Sequence, residues 1–266
     1  MIVRLLTILV GTPVVLVCTY FGGIPFYLFA LALALFSVNE FYFLMKAKGL
    51  HPSFWVGNIF TFIFITFAQQ TLRHPNWEPA AAGILTVASI LALSASIGLR
   101  KTTMATVNIA ITLLGMIYVG WLFSYLVLLR AIGPHGIYLF ALMAMVWATD
   151  VAAYVVGSRL GRTPLRPYIS PKKTVEGAVA GFAACLGASW FFVSLTGLPL
   201  LPFLGLGAIV GILGQVSDLV ESLIKRDAGA KDSSPVIPGH GGVLDRVDSF
   251  ILTAPVAYYY ISWLIV

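Results

Sequence analysis

The sequence predicts an all-α, polytopic integral membrane protein with about nine transmembrane helices and a cytoplasmic N-terminus. Three observations predict it. First, only 10% of the 266 residues are charged and 59% are hydrophobic, whereas globular domains carry about 25% charged residues; the mean hydropathy is +0.96. Second, apolar runs of roughly 20 residues recur, each long enough to cross about 30 Å of hydrocarbon as a helix. Third, the basic residues fall on alternate connections. Backbone groups in lipid must be satisfied internally, so such runs read as helices. Barrel strands would be about ten residues long and alternate in polarity, and these runs do not.

The spans are predicted at 4–21, 24–45, 54–72, 80–99, 105–129, 136–158, 174–196, 200–224 and 247–265. The first has Arg4 ahead of an apolar stretch, as a signal peptide would. It lacks a small-residue cleavage pattern and runs straight into the second span, so it is expected to stay as helix one. Turn residues mark the breaks: Gly22-Gly23 with Pro25, Gly49 with Pro52, His74-Pro75, Gly133-Pro134, and Gly197 with Pro199. The end of the eighth span and the start of the ninth border a polar segment. No repeat of fixed period is seen.

A cytoplasmic N-terminus places 14 of the 16 basic residues on the inner side and leaves Arg73 and Arg130 outside, as the positive-inside rule requires. The chain is expected to be a single membrane domain, 1–266. Spans one to four lie within 1–100. The catalytic helices lie within 101–266, with cytoplasmic polar loops at 159–173 and 225–246. No length remains for a soluble catalytic domain, so a site must be built from helix ends and loops. Cys18 and Cys185 lie inside apolar runs and suggest neither a disulfide framework nor a metal site. The net charge of +6 is the ordinary surplus of inner loops, and no nucleic-acid partner is expected. The basic loop 159–173 could hold the anionic leaflet or a phosphorylated substrate.

Ionisable groups at the membrane are costly and mark functional sites. The segment 222–248 holds eight Asp, Lys and Arg side chains and one of the four histidines. Asp150 sits deep in the sixth span and shares a helix face with Tyr154, Gly157 and Gly161. It reads either as a helix-to-helix hydrogen-bonding group or as a substrate contact. In the eighth span Asp218, Glu221, Ser222 and Lys225 form one polar stripe. Glu221 and Lys225 can pair. Asp218 has no basic partner at helical spacing, and a bare carboxylate there needs a proton or a cation. Asp245 and Asp248 share a face where the ninth span opens, behind Gly239, Gly241 and Gly242. Free amides at a helix start suit an anion, and adjacent carboxylates suit Mg²⁺ together with substrate phosphate. Glu40 in the second span reads equally as structural or functional.

These residues carry a resemblance. Ser222, Lys225-Arg226, Lys231-Asp232, Pro238, His240-Gly241-Gly242, Asp245-Arg246 and Asp248 resemble the signature of CDP-diacylglycerol synthases, or phosphatidate cytidylyltransferases. Gly161-Arg162 through Ser170-Pro-Lys172-Lys173 to Glu176-Gly177 is similar to that family's second polar motif. The resemblance implies a membrane enzyme that makes CDP-diacylglycerol and pyrophosphate from CTP and phosphatidate. It implies Mg²⁺, K⁺ at a neighbouring site, and a homodimer in the bacterial inner membrane with its active site facing the cytoplasm. Asp218, Asp245 and Asp248 are the metal ligands it implies, with Lys225 and Arg226 as further catalytic groups. Ser170, Lys172, Lys173, Lys231, Asp232, His240, Gly241, Gly242, Arg246 and Asp150 are expected to bind substrate. The competing expectation is a cation-coupled transporter, which intramembrane carboxylates also suit.

Overall fold

The computed structural model describes residues 2–77, 80–95, 97, 103–234 and 241–266, with side chains from Leu9 onward except Pro75. Among the described residues there are nine main helices: α1 (Ile2–Phe21), α2 (Gly23–Ala47), α3 (Phe54–Thr71) and α4 (Ala80–Ser94), then α5 (Ala105–Ala131), α6 (Ile137–Leu160), α7 (Val175–Thr196), α8 (Leu200–Asp227) and α9 (Leu244–Leu264). Among the described residues, five stretches are long and apolar enough to cross a membrane: α2, α5, α6 with its lead-in from Pro134, α7 and α8. The protein is an all-α polytopic membrane protein.

The structure differs from expectation at several helix ends and in one loop; the fourth helix stops at Ser94 rather than 99. The ninth helix starts at Leu244 rather than 247, and the eighth continues to Asp227 rather than 224. Hydropathy assigns charged residues to loops. Here the charges are neutralised within the fold, by Lys225 with Glu221 and Asp245 and by Lys48 with Asp227, so the helices continue through them. The loop 159–173 contains a small antiparallel hairpin, β1 (Pro164–Arg166) with β2 (Ser170–Thr174). Pro164, Pro167 and Pro171 hid it, because proline reads as a turn or strand edge.

Lipid tails are as apolar as leucine, so membrane helices associate through close packing rather than hydrophobic gain. The pair α6–α7 shows this. Gly157 of α6 meets Gly177 of α7, and Gly181, one turn further along α7, meets Thr149 and Ala153 of α6. A methyl group on Gly177 would stand 2.7 Å from the Ala153 carbonyl oxygen, and one on Gly181 would stand 2.9 Å from that of Thr149. The backbones therefore touch. Helices α7 and α8 continue the layer: Ser189 Oγ donates to the Phe203 carbonyl at 2.6 Å and Cys185 Sγ to that of Gly207 at 3.2 Å. Cys185 is a buried packing residue.

The N-terminal helices form a second group. Tyr42 of α2, fully buried, lies between Gly57 of α3 and Gly115 of α5 and donates to the Thr112 carbonyl at 2.8 Å. Asn39 and Asn58 exchange side-chain amide hydrogen bonds at 2.8 and 3.0 Å, locking α2 to α3. Helix α5 has a π turn at Met116–Trp121, which sets Gly120 against Thr61 and Phe64 of α3. Tyr125 of α5 and Tyr259 of α9 share a hydroxyl contact of 2.7 Å that joins the two groups.

The connections sort onto two ends. At one end Lys48 pairs with Asp227 at 2.6 Å, and Arg226 Nε donates to the hairpin carbonyl of Ile169 at 3.1 Å. At the other, Arg130 donates to the carbonyls of Thr19 and Tyr20 at 2.5 and 2.8 Å. Lys48, Arg226 and the hairpin that carries Lys172 and Lys173 thus share one end, and Arg130 lies at the other. Arg100 and Lys101 lie outside the described residues.

Candidate active site

A cavity of about 770 Å³ opens at the end that carries the hairpin, walled by α6, the hairpin, α7, α8 and the start of α9. Its lining includes Asp150, Lys172, Lys173, Asp218, Lys225, Asp232, Asp245, Arg246 and Asp248. Asp150, Tyr154 and Gly157 all line it, so the face expected from their spacing is the cavity face. Gly161 instead packs on Thr174.

The polar stripe of α8 supplies the floor. Glu221, fully buried, places Oε2 2.5 Å from Lys225 Nζ. Lys225 Nζ also donates to Asp245 Oδ1 at 2.6 Å. One ammonium thereby ties two carboxylates from different helices. Asp218, one turn away from Glu221, takes its cation from elsewhere in the chain: Lys173 of β2 forms an ion pair with it. Ser217, beside Asp218, donates through Oγ to the Asp248 carbonyl, bringing α9 against α8.

Carboxylate oxygens of Asp218, Glu221 and Asp248 lie within 4.8 Å of one another. This cluster differs from the expected set of Asp218, Asp245 and Asp248 by one member. Asp245 lines the same cavity, but its oxygens already have partners. Oδ1 accepts from Lys225, and Oδ2 accepts from Ser233 N at 3.0 Å, Ser233 Oγ at 2.9 Å and Gly242 N at 2.7 Å. Glu221 joins the cluster because the i, i+3 step from Asp218 keeps both on one helix face.

Three buried polar atoms at this cluster have no hydrogen-bonding partner among the described residues: the Tyr118 hydroxyl and both Glu221 oxygens, of which Oε2 has its ion pair with Lys225. Tyr118 belongs to the π turn of α5, and the charges acting on its hydroxyl are those of Asp248, Glu221 and Asp218. An unpaired buried oxygen is costly, and here it sits where a ligand could bind. Around the cavity six carboxylates, with Glu221 counted behind the lining, face four cationic side chains. The donor set, hard carboxylate oxygen with room for phosphate, fits Mg²⁺.

The segment before α9 is held by a residue from the other half of the chain. Glu40 of α2 is 3% exposed. Its Oε1 accepts from Ser234 Oγ at 2.5 Å and Val243 N at 3.0 Å, and its Oε2 from Ser233 Oγ at 3.0 Å and Leu244 N at 2.8 Å. It thus caps the orphan amides at the start of α9 from another helix. Gly241 has φ +80°, which favours glycine, and a side chain there would press on Asp245. At Gly242 any side chain would collide with Ser233 and Glu40.

The remaining expected residues are placed as follows. Arg226 is held on the carbonyls of Ile169 and Ala230 and is not part of the cavity lining. Ser170 begins β2, and Lys231 is exposed in the turn after α8; neither lines the cavity. His240 and Pro238 lie outside the described residues. Glu176 accepts the backbone amides of Arg162 and Thr163 at 3.1 and 3.2 Å, pinning the hairpin to the start of α7. Glu40 and Tyr118 contribute to the site without belonging to its motifs. A lone buried carboxylate in an early span is the only sequence signal for the first, and nothing marked the second.

Comparison with known proteins places the chain. The model of the cytidylyltransferase family matches residues 2–264. A phosphatidate cytidylyltransferase of Synechocystis sp. is 33% identical, over 98% of this chain and 97% of its own length. One from Bacillus subtilis is 32% identical, over 97% of each. One from Brucella suis is 34% identical, over 97% of this chain and 92% of its own. With carboxylates and lysines gathered in one cavity and a match along almost its whole length, the chain belongs to the cytidylyltransferase family and is a nucleotidyltransferase.

Proposed function

We propose that this enzyme transfers the cytidylyl group of CTP to phosphatidate, giving CDP-diacylglycerol and pyrophosphate. The observation that carries the reading is the Asp218–Glu221–Asp248 cluster beside Lys173 and Lys225 in a cavity walled by apolar helices. It joins anion-binding and cation-binding groups at a membrane site. The names of the relatives supply the substrates, and the cluster supplies the chemistry.

The lipid phosphate is already an anion near neutral pH, so no general base is needed. One of its oxygens attacks the α-phosphorus of CTP. The new P–O bond forms as the bond to the β-phosphate oxygen breaks, and that electron pair leaves on pyrophosphate. The obstacle is repulsion between two anions, which positioned charge overcomes. Asp218, Glu221 and Asp248 would hold Mg²⁺, with K⁺ nearby. Bound there, the ion supplies charge neutralisation for the triphosphate. Lys172 and Lys173, on a hairpin at the cavity rim, hold the phosphates that enter and the pyrophosphate that leaves. Lys225, locked between Glu221 and Asp245, keeps both carboxylates oriented. Arg246, on the first turn of α9, faces the lipid phosphate. The site faces the cytoplasm, where CTP is found.

The test is pyrophosphate release by purified protein in detergent with CTP and phosphatidate. Release that requires phosphatidate and stops with EDTA supports the reading. Release without lipid, or none with both substrates and Mg²⁺, contradicts it.

A further inference from the structure

A second, smaller crevice of about 160 Å³ lies between α1, α2, α5, α6 and α9. Among its lining side chains only Thr19, Trp147 and Arg246 carry a nitrogen or oxygen. Its inner wall is closed: Ala30, Phe123, Leu139 and Met143 are all buried. Phe29 and Leu33 of α2 and Trp147 of α6 are partly exposed and form its lateral edge. Arg246 lines this crevice and the polar cavity alike. One basic residue therefore borders both the charged chamber and the hydrocarbon slot.

We propose that this crevice receives an acyl chain of the phosphatidate, with Arg246 at the boundary between headgroup and tail. The assignment rests on phosphatidate being the substrate. A guanidinium matches phosphate geometry, and the slot that Arg246 also lines offers almost nothing to water or to a nucleotide. The groove is apolar and opens beside exposed apolar helix faces, so a lipid can reach it from the bilayer. Moving an acyl chain from bilayer to crevice exchanges one hydrocarbon surrounding for another, so little affinity is gained. The crevice instead orients the ester end of the lipid, and it discriminates by fit. Its effect belongs in chain-length selectivity, while the headgroup contacts provide binding.

Two experiments test this. Leu33→Trp fills the lateral edge without touching the polar cavity. With it, kcat/KM for dipalmitoyl phosphatidate is expected to fall about tenfold relative to dioctanoyl phosphatidate, the scale on which apolar pockets discriminate. Equal change with both lipids, or with neither, overturns the proposal. Independently of turnover and of variant folding, the wild-type protein is irradiated with phosphatidate carrying a diazirine in its acyl chain, and the labelled residues are mapped. Label at 29–33 and 143–147, displaced by unlabelled phosphatidate and not by phosphatidylcholine, is the expected result. Label elsewhere, or equal displacement by phosphatidylcholine, overturns the proposal, the latter showing a bulk-lipid groove. Label in the crevice without any CTP-dependent product would instead sink the assigned reaction and leave the acyl site standing.

Discussion

The carboxylate of Glu40 accepts the backbone amide of Leu244 at 2.8 Å, so a side chain of α2 caps the first turn of α9. The same carboxylate holds Ser233, Ser234 and Val243. Through these bonds the N-terminal helices fix the segment on which Asp245, Arg246 and Asp248 stand. Glu40→Ala would leave buried donors unpaired, at about 1–3 kcal/mol for each unsatisfied group. Both the melting temperature in detergent and kcat are expected to fall, with CTP binding less affected than turnover. Glu40→Asp, with a shorter reach, should retain part of both. A melting temperature and kcat unchanged in Glu40→Ala would remove Glu40 from this role.

Lys173 reaches Asp218 from the hairpin, outside the helix that carries the carboxylate. Lys173→Ala removes a phosphate-facing cation and unpairs a cluster carboxylate. An increase of about 10–100-fold in the KM for CTP is expected, on the scale of a charged contact worth about 1.5–3 kcal/mol. Lys173→Arg should recover part of it. Steady-state kinetics at fixed Mg²⁺ check this, and an unchanged KM would take the hairpin out of the site.

Glu221 separates the two candidate ligand sets, the expected Asp218, Asp245 and Asp248 and the observed cluster. The cluster includes it and leaves out Asp245, whose oxygens are taken by Lys225, Ser233 and Gly242. Glu221→Gln is therefore expected to raise the Mg²⁺ concentration for half-maximal activity about 10–100-fold, the usual scale for a disturbed metal site. Asp245→Asn should act mainly through stability, because it weakens the bond to Lys225. Mn²⁺ binding followed by electron paramagnetic resonance distinguishes the two: weakened binding in Glu221→Gln and near-normal binding in folded Asp245→Asn. The reverse pattern would restore Asp245 as a ligand.

Gly177 and Gly181 allow α6 and α7 to touch. Gly181→Val would force the helices apart, with an expected loss of about 1–3 kcal/mol from overpacking, seen as a lower melting temperature. Gly187, with open space around the position of an added methyl group, should accept alanine with little change.

Much of the fold was legible in the sequence, because hydropathy and basic-residue placement follow directly from the cost of polar groups in lipid. The stripe at Asp218, Glu221, Ser222 and Lys225 was legible too, since helical spacing alone puts it on one face. Contacts between distant segments were less so. Asp218 finds Lys173 across 45 positions, and Glu40 finds Leu244 across about 200; no local pattern encodes such pairings. Asp245 shares a helix face with Asp248 and sits in the most recognisable motif, yet its partners are Ser233, Gly242 and the Lys225 ammonium that it shares with Glu221. The π turn that carries Tyr118 has no sequence signature at all.

The most direct measurement follows the α-phosphorus of CTP. Purified enzyme is given phosphatidate in mixed micelles and CTP labelled at either the α- or the γ-phosphate, with Mg²⁺ or with EDTA. The account expects α-label, and no γ-label, in the lipid fraction, its loss with EDTA, and its near-abolition in Asp218→Asn. Label entering the lipid from the γ-phosphate, or unchanged transfer after chelation, would contradict it.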